Sequence, residues 1–255
     1  AGIAASAAVG LGTALVLWQA QIAIDQGRRA DEVKNFIASI FQRADPYHGA
    51  LASTSAVDLL KQASARIDEI PAHRAETRVE LLTLLGDTLL RLDDTGAGEP
   101  VVARALQEAT QALGADHPLT LQVRLLKLQV HRWRGRAGQM RAELDALMPL
   151  LRRHGQARDI VVGLQYQAHA ALDEGRFDEA ETAAREALAL ARASLGESHP
   201  NTAYVAMMLA QTYQYGIPRP AMAVQAAEEA MAIVLKAHGE HEMHARVTDM
   251  RHILG

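Results

Sequence analysis

The chain has 255 residues, 49% of them apolar but only 4% aromatic, and 26 basic against 30 acidic side chains leave a net charge of −4. That balance gives no basic footprint, so no nucleic-acid partner is expected; the lack of cysteine removes disulfides, thiolate metal sites and cysteine nucleophiles together. Alanine and leucine must carry the packing, which is the profile of close-packed helices and predicts an all-α fold.

From Ala1 to Ile24 there is no charged residue, the first being Asp25. A helix of that length spans about 36 Å, enough to cross a hydrocarbon core of about 30 Å, and Trp18 sits where interfacial aromatics are favoured. The stretch 1–24 therefore predicts a single membrane-spanning helix. A buried Ala-rich helix and the apolar part of a signal peptide are the competing readings, the latter without a basic start here. Ser6 with Gly10, and Ala8 with Gly12, offer a small-residue stripe for a homodimer through that helix.

Residues 25–45 read as a juxtamembrane amphipathic helix, with Val33, Phe36, Ile37, Ile40 and Phe41 on one stripe. Asp45-Pro46 stops it, because the residue before proline is pushed out of the helical region. A linker and a pre-repeat helix fill 46–70, the helix opening at Ser55 as N-cap with Asp58 three residues on. Pro71 is expected to start the next helix.

Beyond this point the chain repeats itself. Gly114, Gly155 and Gly196 are evenly spaced (155 − 114 and 196 − 155 both give 41), and Gly239 follows. Gly114-Ala115-Asp116-His117-Pro118 recurs as Gly196-Glu197-Ser198-His199-Pro200. Four helical hairpins are expected, at about 71–114, 115–155, 156–196 and 197–239, with a terminal helix to 255. In the third, Gly175 closes one helix, Phe177 supplies a large knob on the next, and Ala180, Ala183, Ala184 and Ala187 form its small-residue stripe. Such a unit cannot bury its apolar face alone and predicts stacked copies.

These residues resemble the tetratricopeptide (TPR) repeat family in a long-helix form. Leu209-Ala210 with Tyr213 matches the first-helix pattern, as does Leu85-Gly86 with Leu89 in place of the aromatic. In second helices the small pairs Ala180 and Ala187, Ala223 and Ala230, and Gly98 and Ala105 match. Leu128, Met140 and Leu147 depart from it, so the 115–155 hairpin should be splayed or shifted. The resemblance implies a right-handed α-solenoid with a concave groove. The residue after each small first-helix position is Asp87, Gln129, His169 and Gln211, with Arg132, Gln165 and Gln214 close by. Together these make a candidate polar ladder for an extended peptide, against the plainer reading of a solvated surface.

The front end carries a second resemblance. The order Trp18-Gln19-Ala20, Ala30 to Ile37, Phe41 to Pro46, Ala56 to Leu60 and Ala65 to Asp68 is similar to the juxtamembrane and sensor region of bacterial transmembrane serine/threonine protein kinases ending in TPR repeats. This implies a membrane-anchored sensor at the inner membrane, with the repeats outside the cytoplasm and protein or peptide ligands as partners. Kinase motifs have no counterpart in these residues, so no catalytic residue and no cofactor is expected here. The alternative is a TPR adaptor without a kinase, in envelope assembly, secretion or transcriptional regulation.

Three further groups invite chemistry. His238, His241 and His244, near Glu240, Glu242 and His252, lack the H-E-x-x-H spacing, and a solvated helix end is the reading preferred over a metal site. His117 and His199 are expected to bond backbone groups in their turns. Trp133 is expected as a wedge between hairpins, and the run Arg132, Arg134, Arg136, Arg141 as solvation of a loop.

Overall fold

In the computed structural model residues 27–40, 55–216 and 220–238 are described, and every regular element among them is helical. The helices are α1 (27–40), α2 (Ala56–Ala65), α3 (Ala75–Arg91), α4 (Thr95–Ala112), α5 (Pro118–Trp133), α6 (Ala137–His154), α7 (Ala157–Asp173), α8 (Phe177–Leu195), α9 (Pro200–Gln211) and α10 (Pro220–His238). They fall into two compact units, residues 1–108 and 109–255.

In the first unit Ser55 caps α2, its hydroxyl accepting the Asp58 N–H at 3.1 Å. Short 3-10 turns at Arg66–Glu69 and Ala72–Arg74 follow, so Pro71 precedes a tight turn rather than α3 itself. The core is aliphatic, with Ile67, Val79, Leu81, Leu82, Leu85, Leu89 and Leu90 buried. Gly86 is buried where a Cβ would lie 2.8 Å from Val102 Cγ2, so α3 and α4 meet backbone against side chain there. Arg78 and Arg104 converge on Glu108, at 2.8 and 2.9 Å, and both reach Asp68. Arg78 also donates to the Ile70 carbonyl at 2.9 Å, tying the loop before α3 to α4. Helix α1 is fastened to the start of α3: Glu32 accepts from Arg74 at 2.6 Å and from the Thr77 hydroxyl at 3.2 Å, and Arg29 pairs with Glu76.

In the second unit the recurring turns have one chemistry. Gly114 and Gly196 take φ of 95° and 93°, the left-handed region that closes a helix without a Cβ penalty. His117 and His199 then cap α5 and α9, each Nδ1 accepting the N–H two residues on, at 3.3 and 3.1 Å. The Thr120 and Thr202 hydroxyls donate back to the Gly114 and Gly196 carbonyls at 2.7 and 2.8 Å. Gly155 keeps the spacing but not the conformation: its φ of −78° and ψ of 159° are extended, and Gln156 with Asp159 forms a capping box for α7.

Consecutive helices of this unit pair off, α5 with α6, α7 with α8 and α9 with α10, around one apolar core. Ala168, Ala180, Ala184, Ala187 and Ala191 are fully buried, and α7 and α8 lie together along more of their length than α5 and α6. In the latter pair Leu128, Met140, Leu144 and Leu147 are buried instead, larger spacers that hold the helices apart.

This corrects the expected architecture in one respect. What the structure gives is an all-α helical repeat, and no helix among the described residues is long and apolar enough to cross a membrane. Residues 1–24, where the span was expected, lie outside the described residues. The long helices present a charged face beside each apolar stripe; even α10 carries Glu228, Glu229 and Lys236. The single-pass inner-membrane location with extracytoplasmic repeats, and dimerisation through a membrane helix, lose the element on which they rested.

Candidate partner-binding face

Three contacts define which stripe of α5, α7 and α9 faces its neighbours in the second unit. Gln122 on α5 donates to Asp159 on α7 at 3.4 Å, Arg132 lies close enough to His169 to act on its charge, and His169 Nε2 is 2.9 Å from the Tyr204 hydroxyl on α9. The first two pairs share one offset, 159 − 122 and 169 − 132 both giving 37, as helices running in register require. Residues three, four and seven apart share a helical face. The stripe is therefore Gln122, Gln129 and Arg132 on α5, Asp159, Gln165 and His169 on α7, and Tyr204 with Gln211 on α9.

The face carries both a guanidinium and a carboxyl, Arg132 and Asp159. Burial pushes His169 down to about 4, with Arg132 adding to the effect, so the imidazole is neutral at neutral pH. Burial raises the Asp159 carboxyl, against its bonds from Gln122 and the Gln156 backbone. Arg132 is exposed, and its guanidinium makes no ion pair or hydrogen bond among the described residues. Gln165 is only 8% exposed, yet its Nε2 has no partner there, and Gln214 Oε1 on the π-helical turn Thr212–Gly216 is likewise buried without one. Buried amides are nearly always satisfied, and leaving one open costs about 1–3 kcal/mol.

The other residues singled out in the sequence fall elsewhere. Asp87 belongs to the first unit and is spent on Arg91 at 2.8 Å within its own helix. Gly86, Ala105, Ala180, Ala187, Ala210, Tyr213, Ala223 and Ala230 are buried, while Phe177 at the start of α8 is half-buried. Trp133 is 42% exposed rather than wedged between hairpins, because it is the last residue of α5 and lies past the packed part of the helix. Arg141 is not loop solvation either: it reaches Asp145, Glu174 and Glu179 at 3.5, 4.0 and 3.6 Å. His241, His244 and His252 lie outside the described residues, among which no group of three side chains could hold a metal.

Two features escaped sequence reasoning. Tyr204 carried no signal beyond being aromatic, since its partner His169 is 35 residues away. Gly163 was equally silent, although a Cβ there would lie 2.6 Å from Met148 Sδ and 2.8 Å from Leu151 Cδ1. A second concavity, of about 270 Å³, lies between α8 and α10 beside Leu209 and Tyr213. Its charges are already paired, Arg185 with Glu181 at 2.9 Å and Arg192 with Glu229.

The tetratricopeptide repeat model matches residues 163–246. The chain is similar to BtubC (BKLC) from P. vanneervenii, with 19% identity over 78% of this chain and 84% of that one and a TM-score of 0.63. It is also similar to a Podosopora anserina putative kinesin light chain with nearly identical TPR-like repeats, at 18% identity, 72% and 87% coverage and a TM-score of 0.53. A Signal Transduction ATPase with Numerous Domains from Pyrococcus horikoshii, carrying a tetratricopeptide repeat sensor, matches at 16% identity and a TM-score of 0.57, over 78% of this chain but 28% of that one. No curated protein matches. At these identities the likeness is one of fold, and the class it defines is a TPR-type helical repeat.

Proposed function

We propose that this chain is a peptide- or protein-binding scaffold whose ligand lies extended across the α5, α7 and α9 stripe. The observation that supports the reading is the row of polar groups with spare hydrogen-bonding capacity at Gln129, Arg132, Gln165 and Gln211, on helices that are otherwise closely packed. A main chain in extended form offers one donor and one acceptor per residue, which side-chain amides can meet without reading sequence. The test is selection from a displayed library of random peptides, followed by titration of the selected peptide against the chain and against Gln129→Ala/His169→Ala/Gln211→Ala. Binding should fall by tenfold or more in the triple variant, about 1.4 kcal/mol for each factor of ten. Undiminished binding would place the ligand on another face.

The resemblance of the segments between Trp18 and Asp68 to the juxtamembrane and sensor region of bacterial transmembrane serine/threonine kinases supports a finer reading, in which this scaffold is the sensory part of such a kinase. An adaptor without a kinase is the alternative. Sequencing the gene ahead of Ala1 separates them, since a kinase domain either precedes these residues or does not.

A further inference from the structure

We infer that α1 is a hinged strap on the first unit: apolar contacts anchor its later half, ion pairs latch its earlier half to α3, and unlatching bares an acidic stripe of α3. The inference is independent of the peptide-binding reading, since every residue it uses lies in the first unit.

Val33, Phe36, Ile37 and Ile40 share one face of α1; Ile40 is buried and the other three are half-buried. The Arg66 guanidinium lies 5.8 Å from the Phe36 ring centroid, a second hold on the later half. The earlier half is attached through charges. Arg29 pairs with Glu76, and Glu32 accepts from Arg74 at 2.6 Å and from the Thr77 hydroxyl at 3.2 Å. All four charged partners stay partly exposed, the setting in which a pair contributes little and salt screens it. A helix of a few turns holds its shape poorly in water, so docking keeps these residues helical.

Glu76, Glu80, Leu84 and Asp87 follow one another along α3 at helical spacing and share a face. Burial raises the Glu80 carboxyl; Arg29 opposes that shift and Glu76 adds to it. Arg29 thus compensates two carboxylates one turn apart that would otherwise repel each other. When the latch opens, that stripe loses its counter-charge and faces water, with Leu84, 40% exposed, further along it.

The test is amide hydrogen exchange of the full chain, read on segments 27–34, 36–40 and the buried middle of α3. Raising NaCl from about 0.01 to about 1 M shortens the screening length from about 30 to about 3 Å. Exchange in 27–34 should then rise by about two- to thirtyfold, the range for two exposed ion pairs, with little change in the other two segments. Arg29→Glu should produce the same rise at low salt, and Arg29→Glu/Glu76→Arg should restore protection. Carbodiimide labelling of the Glu80 carboxyl should increase in the single variant and fall back in the double one. Opening of 27–34 only together with α3, or opening indifferent to salt and to Arg29→Glu, would overturn the latch. Release without a rise in Glu80 labelling would overturn the bared stripe.

Discussion

The two units differ in what they do with their polar side chains. In the first, charges are spent on the fold: Arg78, Arg104, Glu108 and Asp68 close on one another, Glu32 holds Arg74 and Thr77, and Asp87 holds Arg91. In the second, Arg132, Gln165 and Gln214 have capacity left over among the described residues. A buried polar group without a protein partner is destabilising unless water or a ligand supplies one. The difference teaches that position in the repeat does not make a binding residue. Asp87 and Gln129 were expected at equivalent places in successive repeats; Asp87 is spent on Arg91, whereas the Gln129 side chain makes no hydrogen bond among the described residues.

The widest contrast should appear in acid. His169 has its folded pKa depressed to about 4, so the unfolded chain binds the extra proton between the ordinary histidine value and about 4. Stability is fully present above about pH 6.5 and lost as pH falls toward 4, by up to about 3 kcal/mol. Amide hydrogen exchange of α7 and α9 should accelerate across that window, and His169→Gln should flatten it. Asp159, raised by burial, acts in the opposite sense, so the difference between wild type and variant is the quantity to read. In the first unit, Arg78 and then Arg104 hold Glu108 below the usual carboxylate range, against its burial. Its contribution is present above the unfolded carboxylate value of about 4.3 and is lost only as pH falls through the lower folded one.

The next largest effect tests whether the first unit's charges matter to stability. Glu108→Gln leaves two guanidiniums short of a carboxylate at a site that is three-quarters shielded. It should cost about 1–3 kcal/mol, between the values for exposed and buried pairs. Gln129→Ala in the second unit should change the unfolding free energy, read by urea titration, by under about 0.5 kcal/mol, as a side chain with no role in the free fold would. Equal costs at the two sites would erase the contrast.

Two smaller effects test the packing that carries the stripe. Gly163→Ala forces Met148 and Leu151 aside and should cost about 1 kcal/mol, the low end for overpacking, because side-chain rather than backbone atoms must give. His199→Ala removes the cap of α9 and should cost about 1 kcal/mol, with the matching His117→Ala at α5 similar, both read by thermal denaturation.

Much of the fold was legible in the residues because helix punctuation is local. Ser55 with Asp58, the His-Pro turns at 117 and 199, and the glycines before them act within a few positions of themselves, and the hydrogen bonds they form are those that such residues offer in any chain. The membrane span rested on the length of an uncharged stretch and on Trp18, and it lies outside the described residues, with no helix inside them able to take its place. What tertiary structure decided was availability. Whether Asp87 or Gln129 is spent, whether Trp133 is covered, and that Tyr204 meets His169 depend on neighbours dozens of residues away. Sequence by itself determined a glycine-punctuated helical repeat, because caps and stripes need only short-range spacing. Only packing decided which polar groups were left without partners, because that is settled by the helix lying opposite.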